Sequence, residues 1–120
     1  MSGRLEGKVA VVTGAASGFG EGIVRRFAEE GARIVVADRN GDGAAEVASE
    51  MGAAGGPVMA DGTKSADVKA MISAAVDGCG GLDILVNNAG YTHRNMPMTE
   101  VDEATFDRIL AVNAKAIYLA

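Results

Sequence analysis

The sequence predicts a doubly wound α/β fold, a parallel sheet covered by helices on both faces in three layers. Three observations predict it. Four short runs, residues 9–12, 34–37, 58–60 and 84–86, are unbroken in Val, Ile, Leu, Met and Ala, as strands buried on both faces are. Segments of helical period lie between them, so strand and helix alternate four times along the chain, which implies right-handed crossovers. Each run also finishes in a polar residue, Thr13, Asp38, Asp61 and Asn87 in turn. In open α/β sheets ligands bind beyond the carboxyl ends of the strands. Any one of these residues could simply begin a polar turn, but four of four beside a glycine-rich loop mark a ligand edge.

The first run leads into Thr13-Gly-Ala-Ala-Ser-Gly-Phe-Gly20, followed by a helix expected over residues 21–30. Gly14 permits a tight turn, and Gly18 and Gly20 allow close approach of a pyrophosphate and of the helix to the sheet. Ser17 and the Phe19 N–H are candidate phosphate donors, because a helix start presents N–H groups and favours negative charge. The alternative is a glycine-rich turn that holds no ligand. Phe19, Ile23 and Phe27 recur at helical spacing as the apolar stripe, and Gly31 is a stop signal. After the second run, Asp38 can accept hydrogen bonds from an adenosine ribose and would repel a 2′-phosphate, which favours NAD over NADP. Arg39 could pair with such a phosphate, lie over an adenine face, or be a solvated turn residue.

Residues 41–51 form an Ala- and Glu-rich helix with a weaker stripe. Val68, Met71, Ile72, Ala75, Val76 and Cys79 mark the next helix, with Ser65 as a candidate cap. Residues 52–56 are a short flexible connection rather than a domain boundary. A final helix starts near residues 99–102, where Thr99 and Asp102 fit a capping box. Its stripe is Phe106, Ile109, Leu110 and Ile117, and Asn113 falls on that stripe, where an inward amide must find partners.

Composition narrows the function. With 48% apolar and 22% charged residues in 120, the chain is an ordinary globular domain. A net charge of −5, spread along the chain, gives no footprint for nucleic acid or an anionic membrane. Cys79 stands alone, so no internal disulfide forms, and with only His93 beside it no metal site is expected. The charged N-terminus is not a signal peptide, and no apolar stretch spans a bilayer. A cytoplasmic protein follows.

Taken together, the glycine loop, Asp38, Asp61, the run Asn87-Asn-Ala-Gly90 and Asn113 resemble the amino-terminal half of a short-chain dehydrogenase/reductase. The resemblance covers essentially the whole chain, as one dinucleotide-binding Rossmann-type domain over residues 1–120 that is incomplete on its C-terminal side. It implies a nicotinamide cofactor, an alcohol or ketone substrate and a homo-oligomer, tetramer or dimer. It places an acidic residue at Asp61 against the adenine amino group. The residue that follows in the family is usually apolar, whereas Gly62 stands here and thins that wall. Asp61 could also cap the turn to Thr63. In Asn87–Gly90 a side-chain amide ties neighbouring backbones together, and Ala89 and Gly90 leave room for the nicotinamide ribose. Asn113 matches the helix asparagine of the catalytic proton relay, although by pattern alone a bond to a neighbouring carbonyl serves as well. His93 reads as solvated or packed, and Met96 and Met98 as packing residues, in a loop that could border a substrate mouth.

The family's reaction also needs a Ser and a Tyr with a Lys four residues later, which lowers the phenol's pKa. Tyr91 has Asn95 at that position, and Tyr118 is too near Ala120 for one to follow. The pair is expected beyond Ala120, since residues 115–120 show no helix stop signal, and the fourth strand would be left as an apolar edge. Three functions follow from this: an NAD-dependent oxidoreductase in its complete form, a dinucleotide-binding module without turnover, or a structural association domain. The glycine loop and Asp38 argue against the last.

Overall fold

The four apolar runs form strands of one parallel sheet, as expected. The computed structural model describes residues 3–50, 56–90 and 98–119. Along the chain lie β1 (Val9–Thr13), α1 (Gly18–Glu29), β2 (Arg33–Asp38), α2 (Gly41–Glu50), β3 (Pro57–Met59), α3 (Ser65–Cys79) and β4 (Ile84–Val86). A 3₁₀ turn, Met98–Glu100, precedes α4 (Glu103–Leu110), which runs through a π-helical turn, Ala111–Lys115, into α5 (Ala116–Leu119).

The four strands are all parallel, in the spatial order β3-β2-β1-β4. Ala10 pairs with Ile34 on one side and with Ile84 on the other. The chain therefore builds outward from β1 to β3, then crosses back to place β4 on the opposite flank of β1. That reversal opens a crevice between β1 and β4 at their carboxyl ends. The fold is Rossmann-like.

The core has two halves, one on each face of the sheet. Val9, Val11, Val35 and Ala37 pack with Val68, Met71, Ala75 and Cys79 of α3. Val12, Ile34 and Val36 pack with Val24 of α1 and with Ala44, Val47 and Ala48 of α2. Alternate residues of one apolar run thus serve opposite faces, which is why the run is unbroken. Helix α1 ends in a Schellman motif. Gly31 takes φ 92°, its N–H bonds Ala28 O at 3.1 Å, and the Ala32 N–H bonds Phe27 O at 3.1 Å.

Several expectations fail for identifiable reasons. Only β1 and β2 are buried on both faces; β3 and β4 are part-exposed because each is an edge strand with a single neighbour. Phe19 is 88% exposed, and the buried positions of α1 are Gly20 and Val24. The helix starts at Gly18 rather than residue 21, so Phe19 falls in its exposed first turn, while Ile23 and Phe27 of the expected stripe pack against the core. In α3, Val76 is exposed, and Ser65 is the first helical residue rather than the cap, which is Lys64. Asp102 alone caps α4, accepting from the Thr105 N–H at 2.9 Å. Phe106, Leu110 and Ile117 are exposed, and so is Asn113, while Val112 is buried. The π turn, Ala111–Lys115, alters the spacing only for the residues in and after it, Asn113 and Ile117; Phe106 and Leu110 lie before it in regular helix.

Candidate functional site

The glycine loop is shaped by two contacts and one open position. Gly14 and Gly18 have φ of 63° and 60°, a region that favours glycine. A Cβ on Gly14 would lie 2.9 Å from Asn88 Nδ2, and one on Gly20 would lie 2.1 Å from the Gly14 carbonyl oxygen. Those two glycines let α1 and the 87–90 segment close against the loop. A Cβ on Gly18 would meet nothing within 4 Å, so this glycine faces open space. Because α1 begins inside the loop, its first-turn N–H groups, which have no partner within a helix, are displayed there. Ser17 occupies the N-cap position without making a side-chain capping bond.

Thr13 fastens the two strands that flank the crevice. Its hydroxyl donates to Val86 O at 3.2 Å and accepts from the N–H groups of Asn88 at 3.0 Å and Ala89 at 3.2 Å. Asn88 Nδ2 donates to Gly14 O at 3.3 Å. The tie expected of the asparagine pair is therefore made by Asn88, with Thr13 as its hub. Asn87 is exposed and lines the cavity.

Asp38 braces the loop from the second strand. One carboxylate oxygen accepts from the Ala16 N–H at 3.0 Å and the other from the Asn40 N–H at 2.9 Å. Each oxygen keeps a second acceptor position for a ligand hydroxyl. Asp61 is held differently. Its Oδ1 accepts from the Thr63 N–H at 2.9 Å and the Thr63 hydroxyl at 2.6 Å. Its Oδ2 lies 3.7 Å from Arg39 Nε and 3.7 Å from Arg108 Nη1. Partial burial pushes the Asp61 carboxyl up, but the Thr63 bonds and the two guanidiniums outweigh it and hold the group below the usual carboxylate range. The cap to Thr63 is thus present. Arg39 faces Asp61, an arrangement outside the three considered for it.

These groups share one cavity of about 380 Å³. Gly14, Ser17 and Phe19 line it from the loop, Asp38 and Arg39 from β2, Asp61 and Gly62 from beyond β3, and Asn87, Ala89 and Gly90 from beyond β4. Gly18, Gly20 and Asn113 are not among the lining residues. Asn113 is nevertheless close, since a Cβ on Gly90 would lie 3.6 Å from its Oδ1. His93, Met96 and Tyr91 lie outside the described residues, as does the Met98 side chain. The wall that sequence reasoning missed is α4 and the π turn after it, which add Arg108 and Val112. Among the described residues no helix is long and apolar enough to cross a membrane, and no group of three His, Cys, Asp or Glu could hold a metal.

A family model described as short chain dehydrogenase matches residues 8–120. The chain belongs to this family. It is 50% identical over 118 residues to 4-formylbenzenesulfonate dehydrogenase TsaC1/TsaC2 of Comamonas testosteroni, covering 96% of this chain and 47% of that one. It is 43% identical over 122 residues to 2,5-dichloro-2,5-cyclohexadiene-1,4-diol dehydrogenase LinX of Sphingobium indicum, covering 99% of this chain and 48% of that one. Among solved structures, a 3-ketoacyl-(acyl-carrier-protein) reductase from Brucella melitensis complexed with NADH superposes with a TM-score of 0.93 at 51% identity. That match covers 96% of this short chain dehydrogenase chain and 48% of the reductase. The chain spans about half the length of the curated relatives it matches.

Proposed function

We propose that residues 1–120 form the dinucleotide-binding part of an NAD-dependent oxidoreductase that moves a hydride between nicotinamide and the carbon of a secondary alcohol or ketone. The observation that carries the proposal is Asp38, a carboxylate fixed at the mouth of the cavity beside a glycine loop. Each of its oxygens is anchored by one backbone N–H and has capacity for a ribose hydroxyl. A 2′-phosphate brought to the same place would meet a fixed negative charge, so NAD is preferred over NADP.

The shape of the cradle fits such a group. The open face at Gly18 and the N–H groups at the start of α1 would hold the pyrophosphate, with the Ser17 hydroxyl beside them. By resemblance, Asp61 would accept from the adenine amino group, and Ala89 and Gly90 would make room for the nicotinamide ribose. The dinucleotide, when bound, supplies the hydride chemistry, and the protein supplies placement and electrostatics. Asn113, beside Gly90, belongs to the proton relay in this reading. The Ser and Tyr-x-x-x-Lys of the reaction are expected beyond Ala120, and the 120 residues alone are inactive. The whole protein acts on a small alcohol or ketone as a cytoplasmic homo-oligomer. The diol in the name of LinX and the NADH bound to the Brucella reductase support the substrate class and the cofactor.

A second reading, a binding module without turnover, is favoured by the fact that Tyr91 has Asn95 rather than a lysine four residues on. The intact mass of the natural product, together with an NAD-reduction assay on that product with a secondary alcohol, separates the two: a longer product that reduces NAD supports the first reading, and a product without turnover supports the second. Parallel calorimetric titrations with NAD and NADP test the cofactor. NAD is expected to bind more tightly, and Asp38→Asn should move the ratio toward NADP by about tenfold. Tighter NADP binding by the unaltered chain would refute the argument from Asp38.

A further inference from the structure

The adenine end of the cavity carries a charge arrangement that the reading above does not use. Asp61 has one oxygen filled and one held in reserve. Oδ1 already accepts two hydrogen bonds from Thr63. Oδ2 is approached by two guanidiniums, each at 3.7 Å. That distance is too long for a hydrogen bond. The cations therefore attract Oδ2 from two sides without consuming its lone pairs, which remain for a third donor. The two arms differ. Arg39 extends from the end of β2 with its side chain 62% exposed, whereas Arg108 comes from α4 with its side chain 26% exposed. An exposed ion pair is worth little and is easily exchanged; a part-buried one on a helix is better preorganised.

We infer that Arg108 is a positioning residue for adenine recognition: from α4 it holds Asp61 Oδ2 ready to accept from the exocyclic amino group, while Arg39 is an outer arm that the incoming base displaces. This rests on the dinucleotide reading above. It also explains how the site tolerates Gly62. With no side chain at that position, the carboxylate is steadied from the opposite wall, by α4.

The test is calorimetry on the chain with two probes, NAD and the analogue carrying purine in place of adenine, which lacks the 6-amino group. Arg108→Met should weaken NAD about threefold to tenfold and leave the purine analogue within about twofold. Arg39→Met should leave both within about twofold. In an Asp61→Asn background, Arg108→Met should have no further effect on NAD, because its route to the ligand is gone. Arg108→Lys keeps a charge without the planar fork and should fall between the parent and Arg108→Met. It carries the same comparison if the methionine variant fails to fold. Equal losses for NAD and the purine analogue would overturn the inference and leave Arg108 a residue that merely fastens α4. A full Arg108→Met effect in the Asp61→Asn background would overturn it too. Failure of the unaltered chain to bind either dinucleotide overturns the dinucleotide reading itself and this inference with it, a result distinct from the other two.

Discussion

The two ends of the cavity are built from different forces. At the glycine-loop end, short contacts fix the geometry: Thr13 makes three hydrogen bonds across to the β4 end, and Gly20 packs directly on the Gly14 carbonyl. At the Asp61 end short bonds tie Asp61 to Thr63 and Asp67, but Arg39 beyond β2 and Arg108 of α4 reach it only through two long ion pairs, each at 3.7 Å. Hydrogen bonds and steric contact are steep in distance and direction, whereas charge attraction is shallow and screened by salt. The first end is suited to a group that is the same in every dinucleotide, the pyrophosphate. The second can yield to admit a base and still attract it.

That contrast predicts a graded series of effects. The largest belongs to Gly20→Ala. Its added Cβ would overlap a backbone oxygen, and neither the sheet nor α1 can move away cheaply. A loss of about 1–3 kcal/mol or more is expected in urea unfolding, together with loss of dinucleotide binding. An alanine variant of parent-like stability would show that α1 is not seated on the loop as described. Next comes Thr13→Val, which keeps the shape but removes one donor and one doubly used acceptor. A decrease of about 1–3 kcal/mol is expected, insensitive to salt. If the loss shrank steeply at high ionic strength, the division between a hydrogen-bonded end and a charged end would fail.

The smallest effect is at Asp61, and its sign follows from its depressed pKa. A carboxylate with a lower pKa when folded stabilises the protein above the ordinary carboxylate value, and the contribution disappears as pH falls through the folded value. The parent should therefore lose stability relative to Asp61→Asn only on acidification below about pH 4. Parallel acid-unfolding curves for the two proteins would contradict this.

The same contrast decides what the sequence could reveal. The glycine-loop end is local. A valine run, a turn and a helix start are adjacent in the chain, and the steric needs of Gly14, Gly18 and Gly20 leave a spacing that is read directly. Asp38 is equally local, being the residue that ends β2. The other end is assembled from distant pieces. Arg108 on a helix reads as a solvated charge until the fold brings α4 beside Asp61. Phe19 fits a helical stripe by spacing, yet the helix begins inside the loop and Gly20 takes the buried place. Regular turns would put Asn113 on an inward stripe, and the π turn that contains it breaks that regularity. Spacing rules report regular geometry, so they fail where a helix starts early or gains a residue.

The central claim is that main-chain donors of the loop at the start of α1 hold a pyrophosphate. Amide-resolved NMR during titration with NAD tests it most directly, because it reads those N–H groups one by one. The account predicts that the amides of residues 17–20 shift most and saturate together, with the amides around Asp38 following on the same curve. Well-folded protein in excess NAD whose loop amides stay unmoved would contradict it.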